Sequence, residues 1–108
     1  IMTPFQALAD KLQMTFLPTL AVDQFGYQSY EMKARLLIQY QRYLTQERLG
    51  HFNDQANWLV DQLTKRIAAV PEEKRQQLIL ILEQLKNNQA TLEDLQMNLK
   101  MIQDTEES

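Results

Sequence analysis

Apolar residues recur at intervals of three and four along most of this chain, the spacing of helices that each bury one face. The pattern opens with Phe5, Leu8, Ala9, Leu12 and Phe16. Thr3, Pro4 and Gln6 read as the start of that helix: an N-cap threonine, a proline in the first helical position and a Thr-x-x-Gln capping box. Pro18 ends or kinks it, so the first helix is predicted over residues 4–16. Residues 19–28 read as an apolar connection with Gly26 as its stop signal.

A second helix is predicted over residues 29–49, with Gly50 placed to take the left-handed conformation that commonly follows a helix. Arg35, Gln39, Arg42 and Gln46 fall together on one narrow polar face. Apolar and tyrosine side chains, from Tyr30 and Met32 to Tyr43 and Leu44, occupy most of the remainder. A surface helix needs an apolar stripe only a little over ~100° wide. The arc here is roughly twice that, and Lys33 and Gln41 interrupt it. Such a helix is covered from more than one side, as the centre of a bundle or as part of a subunit interface.

Asn53 can cap a third helix over residues 53–69, with Asp54 in its first turn and a single stripe of Ala56, Leu59, Val60, Leu63, Ile67 and Val70. Trp58 lies beside that stripe and is expected in the core, with an interface anchor as the alternative. Pro71 then opens the next helix, and Glu72 and Glu73 sit where the helix dipole favours negative charge. The connection is so short that the two helices are either antiparallel neighbours or arms of one bend.

The C-terminal third repeats by heptads. Leu78, Leu85, Leu92 and Leu99 are spaced by seven, and Ile81, Asn88, Leu95 and Ile102 lie three residues after each. An apolar seam sustained over four heptads is the pattern of a coiled coil, and a lone asparagine on it can fix register. The phase is kept across Asn88, which favours one helix over residues 71–104. Thr91-x-x-Asp94 offers a competing helix start, and so a break near Asn88. A continuous helix would be about 50 Å long at 1.5 Å per residue, and its far half would need a partner. Leu92, Leu95, Leu99 and Ile102 are therefore the predicted self-association residues of a homodimer. Met97 and Met101 lie opposite them, and core or dimer packing is expected there, with adaptable binding as the alternative.

The predicted fold is all-α. It is a single helical domain over residues 1–108, an antiparallel bundle of four main helices whose last member is long, coiled-coil-like and open to a break. A chain of 108 residues supports one domain with a small core. Absent cysteine excludes disulfides, thiolate metal sites and a cysteine nucleophile, and suits a reducing compartment. No apolar stretch after Lys11 reads as a signal peptide and none is long enough to span a membrane, so the expected location is cytoplasmic. The net charge of −3 is uneven, with four basic and eight acidic groups in residues 71–108, or −4. Neither half has the basic excess of a duplex-binding domain.

Candidate chemistry is sparse. No nucleophile–base pair or glycine-rich phosphate loop is present, so no catalytic or cofactor-binding residue is expected. Glu47 and His51 are four apart, but Gly50 should end the helix between them, leaving His51 to satisfy free carbonyls at a helix end rather than to bind metal. The adjacent pairs Glu72-Glu73, Glu93-Asp94 and Glu106-Glu107 read as helix-start charge and a solvated tail. The unusual patch is Arg35, Tyr40, Arg42 and Tyr43, with Lys33 and Arg48 nearby, and these residue types are enriched in binding hot spots. The expected function is non-catalytic protein–protein interaction, in a small adaptor, regulator or assembly factor that works by helix-to-helix contact. One alternative is a nucleic-acid-associated regulator using the arginine and tyrosine face. Another is a bundle that holds a small apolar ligand.

Overall fold

The computed structural model describes residues 4–16 and 26–107, and there it forms five α-helices and no strand. They are α1 (Pro4–Phe16), α2 (Gly26–Gln46), α3 (Gly50–Ile67), α4 (Glu72–Asn87) and α5 (Leu92–Glu107). The Thr3 cap, the Pro18 stop and the connection before Gly26 lie outside the described residues. Gly26 is the first residue of α2 and not a stop. No described helix is long and apolar enough to cross a membrane.

α2 is the hub. α3, α4 and α5 each pack on it, and α1 lies on α5. The broad apolar arc of α2 is the cause: Ala34, Leu36, Leu37, Ile38, Tyr40 and Leu44 point in several directions and all are buried. One neighbouring helix cannot cover an arc that wide, so several are recruited. Each fully buried leucine or isoleucine contributes roughly 1.5–3 kcal/mol. The opposing core residues include Leu59 and Leu63 of α3, Leu78 and Leu82 of α4, and Leu95, Leu99 and Ile102 of α5.

The turn between α2 and α3 comes earlier than the glycine predicts. α2 ends at Gln46, and Arg48 takes the left-handed conformation with φ 57°. The Leu49 amide donates to Leu44 O at 3.0 Å and the Arg48 amide to Thr45 O at 3.3 Å. These are the paired bonds of a Schellman closure, with Leu49 packed beside buried Leu44 as its hydrophobic contact. Placing those two leucines together positions the turn, and Arg48 accepts the strained residue that a glycine would relieve. α3 therefore begins at Gly50, three residues before the expected Asn53 cap.

α3 and α4 are separated by a turn in which Pro71 occupies the N-cap, one place earlier than expected, and its carbonyl accepts the first bond from the Arg75 amide at 2.8 Å. Glu72 and Glu73 do lie in the first turn of α4.

The expected continuous helix over residues 71–104 is broken. Asn88 is extended, with φ −91° and ψ 148°, and α5 starts anew at Leu92. Thr91 caps it: its hydroxyl accepts from the Asp94 amide at 3.1 Å, and the Asp94 carboxylate accepts from the Thr91 amide at 3.3 Å. That reciprocal box satisfies two amides that a helix start leaves without intrahelical partners. The whole molecule extends 42 Å along its longest axis, less than the about 50 Å an unbroken helix would need. Folding back lets the heptad leucines on both sides of the break reach α2 within one chain.

Candidate functional site

The polar face of α2 is aimed at α5 and at the turn before it, and not simply at solvent. The Gln46 side-chain amide donates to Ala90 O and accepts from the Ala90 amide, each at 2.9 Å. Arg42 Nε donates to Asn88 O at 3.3 Å. Gln39 accepts a hydrogen bond from the Asn98 side chain on α5. Arg35 is exposed and directs Nε and Nη2 to Glu31 Oε1 one turn away, at 3.2 and 2.8 Å. The four residues thus form a polar spine whose last two members hold the α4–α5 turn closed.

The far end of α5 is held by charge. Lys33 has only 2% of its surface exposed, and its ammonium group lies 2.5 Å from Glu106 Oε1. Ser29 donates to the same oxygen at 2.8 Å. Glu106 is therefore a structural partner inside α5 and not part of a solvated tail. A lysine interrupting an otherwise apolar arc was the signal for this pair. Its carboxylate lies too far along the chain for local spacing to identify.

These contacts disperse the predicted arginine–tyrosine patch. Tyr40 is wholly buried, so it belongs to the core and not to a partner surface. Tyr43 is half-buried against the core, Arg42 is engaged with the turn, and Arg35 is neutralised by Glu31. Lys33 points inward. Lys33, Arg35 and Arg42 therefore do not present one free basic face of the kind a nucleic-acid footprint needs. Burial pushes the Tyr43 hydroxyl above the ordinary tyrosine value, and the carboxylates of Glu47 and Glu93 add to the shift. The Tyr30 hydroxyl is buried without a hydrogen-bond partner among the described residues, and burial raises it too, opposed by the charge of Arg66.

The leucine ridge is also internal. Leu95, Leu99 and Ile102 are buried and Leu92 packs against the same core. A homodimer through this ridge needs a helix too long to fold back, and the break at Asn88 removes that need. His51 lies in the first turn of α3, edge-on to the Phe52 ring at 5.7 Å, and not at a helix C-terminus. Among the described residues no group of three or more His, Asp or Glu side chains could hold a metal ion.

What the fold leaves uncovered is apolar. Met97 and Met101 of α5 are 61% and 51% exposed, and they lie four residues apart on one face. The expectation of core packing for them is not met within the chain. Trp58, 52% exposed on α3, is not core either. Leu80 stands alone on the outer side of α4. Behind Met101 lies a cleft of about 440 Å³ between α4 and α5. Its floor is α2, through Met32, Arg35 and Gln39, and its walls are Leu85 of α4 and Asn98 and Met101 of α5. The cleft exists because α4 and α5 both pack on α2 and share no extensive interface among the described residues. A cleft that mixes apolar Met32, Leu85 and Met101 with the amides of Gln39 and Asn98 can take an anchoring side chain while the amides orient it. No protein-family model matches this chain, and neither a curated protein nor a solved structure shows significant similarity to it.

Proposed function

We propose that this chain is a non-catalytic protein-binding module, an adaptor or assembly factor that works through helix-to-helix contact. One observation carries the reading: Met97 and Met101 stand exposed one turn apart beside an open cleft. Exposed large apolar side chains that cluster, in contrast to a lone one such as Leu80, mark contact surfaces. Methionine suits that use because its unbranched thioether adapts to the partner's shape. The cysteine-free composition suits the cytoplasm as the setting.

The test compares wild type with Met97→Asp/Met101→Asp and with Leu80→Asp, each checked for an unchanged thermal melt. Proteins captured from a host extract are quantified for all three. The expected result is at least one protein retained by wild type and by Leu80→Asp and lost by the double variant. The same capture profile from all three would refute the reading.

A further inference from the structure

The neighbours of the methionine pair define what can cover it. One turn before Met97 stand Glu93, which is exposed, and Asp94; one turn after Met101 stands exposed Asp104. Lys100, three residues after Met97 and four before Asp104, is the one cation of α5 and is outnumbered here by these three carboxylates; it also lines a separate hollow between α1 and α5. The apolar pair is thus bracketed at both ends by carboxylates. Glu93 and Asp104 are eleven residues apart, about 16 Å along the helix axis. The C-terminal end of α5 is negative for a second reason. No basic residue lies in its last turn, where the unsatisfied carbonyls carry the negative end of the helix dipole. Lys33 approaches this end from inside and is engaged with Glu106.

From this arrangement we infer that the outer face of α5 docks a cationic amphipathic helix of a partner protein. This rests on the binding reading above and names its partner class. The docked helix presents apolar residues to Met97 and Met101 and inserts one of them into the α4–α5 cleft. Its lysines or arginines sit roughly 16 Å apart, one set over Glu93 and Asp94 and the other over Asp104. A second copy of this chain is a poor occupant, because the same carboxylates would face each other and the chain as a whole carries −3. An apolar helix with acidic flanks is excluded by the same repulsion.

The probe is a helical peptide of roughly 18 residues, with a leucine face and lysines at both ends, and a matched peptide with glutamates replacing the lysines. Binding to the full chain is measured by calorimetry, with the methyl signals of Met97 and Met101 followed by NMR. The lysine peptide should bind at least about tenfold more tightly than the glutamate peptide and lose affinity as salt rises. It should shift both methyl signals. Glu93→Lys/Asp104→Lys should reverse the preference, and Met97→Asp/Met101→Asp should abolish binding of the lysine peptide. Equal binding of the two peptides, or binding that leaves the Met97 and Met101 methyls unmoved, overturns the inference. So does a sedimentation shift to dimer that Met97→Asp/Met101→Asp removes, which would assign the face to a second copy. If both peptides fail while extract capture still depends on Met97 and Met101, the cationic-helix inference falls and the binding reading stands. If that capture is also insensitive, both fall.

Discussion

The two turns that flank the polar spine of α2 are built by opposite means. The α2–α3 turn closes from within. Its two backbone bonds span at most five residues, and its hydrophobic contact joins neighbours in sequence, Leu44 and Leu49. The α4–α5 turn closes partly from outside. Thr91 and Asp94 cap its helix locally, but the backbone groups of Asn88 and Ala90 find their partners on Arg42 and Gln46, 46 and 44 residues earlier. The first turn is positioned by sequence-local packing that overrides the glycine. The second needs a tertiary partner before its polar backbone is satisfied. Buried backbone groups must be paired somewhere, and the two turns show a local and a distant solution to that requirement.

The largest effect expected along this axis is at the end of α5 that the second turn brings back to α2. Glu106→Ala leaves the Lys33 ammonium buried without its carboxylate, and chemical denaturation should show a loss of about 3 kcal/mol. Lys33→Met/Glu106→Met should recover much of it, since replacing both side chains removes the buried ammonium together with its carboxylate. A single variant as stable as wild type would mean that the pair is solvated.

Gln46→Ala strips both partners from the Ala90 backbone at once, and Ala90 is itself buried. A cost of about 2 kcal/mol is expected, with faster hydrogen exchange at the Ala90 amide than at Leu49. Exchange rising equally at both turns would contradict the distinction drawn between them. Thr91→Ala, which removes only the cap, should cost about 1 kcal/mol and fray the first turn of α5 in carbon chemical shifts. At the self-closed turn the sign reverses. Arg48→Gly relieves the left-handed strain and should raise stability by about 1 kcal/mol. A lower melting temperature would show that the Arg48 side chain has a role that outweighs that strain.

Tyr43 reports on both turns, because Glu47 lies in the first and Glu93 opens the helix after the second. Its hydroxyl is raised above 10.0 in the folded chain by burial first and by those carboxylates second. A group raised on folding holds its proton more tightly in the native state. Its contribution is therefore intact below about pH 10 and declines as pH climbs through the folded value. Ultraviolet titration should find Tyr43 ionising above free tyrosine, and Glu93→Gln should lower that midpoint slightly. A midpoint unmoved by Glu93→Gln would separate Tyr43 from the second turn.

Helix content, the span of α1, the wide apolar arc of α2 and the start of α4 near Pro71 are all legible in periodicity and capping residues, because those are local properties; that α2 is a bundle centre and not a subunit interface is not. The break in the C-terminal pattern is hidden from the sequence for a physical reason. Heptad phase survives the break: the ridge of α4 and the ridge of α5 both face α2, so the spacing of leucines is the same whether the chain runs straight or folds back. Thr91 and Asp94 pointed to the break. The contacts that favour it, from Arg42 and Gln46, are invisible to any local window. The candidate site was less legible still. Tyr40 and Met97 are both large and helix-borne, and only the arrangement of neighbouring helices buried the first and exposed the second.

Read residue by residue, this is a helical chain whose second helix is apolar over too wide an arc for one neighbour to cover. Periodicity and composition encode that directly, through the area of surface that must leave water. Tertiary structure alone decided which apolar residues remained outside, which charges were drawn in, and where the long C-terminal pattern turned back. Those outcomes depend on pairings such as Lys33 with Glu106 and Gln46 with Ala90. They form between residues that only folding brings within hydrogen-bonding distance.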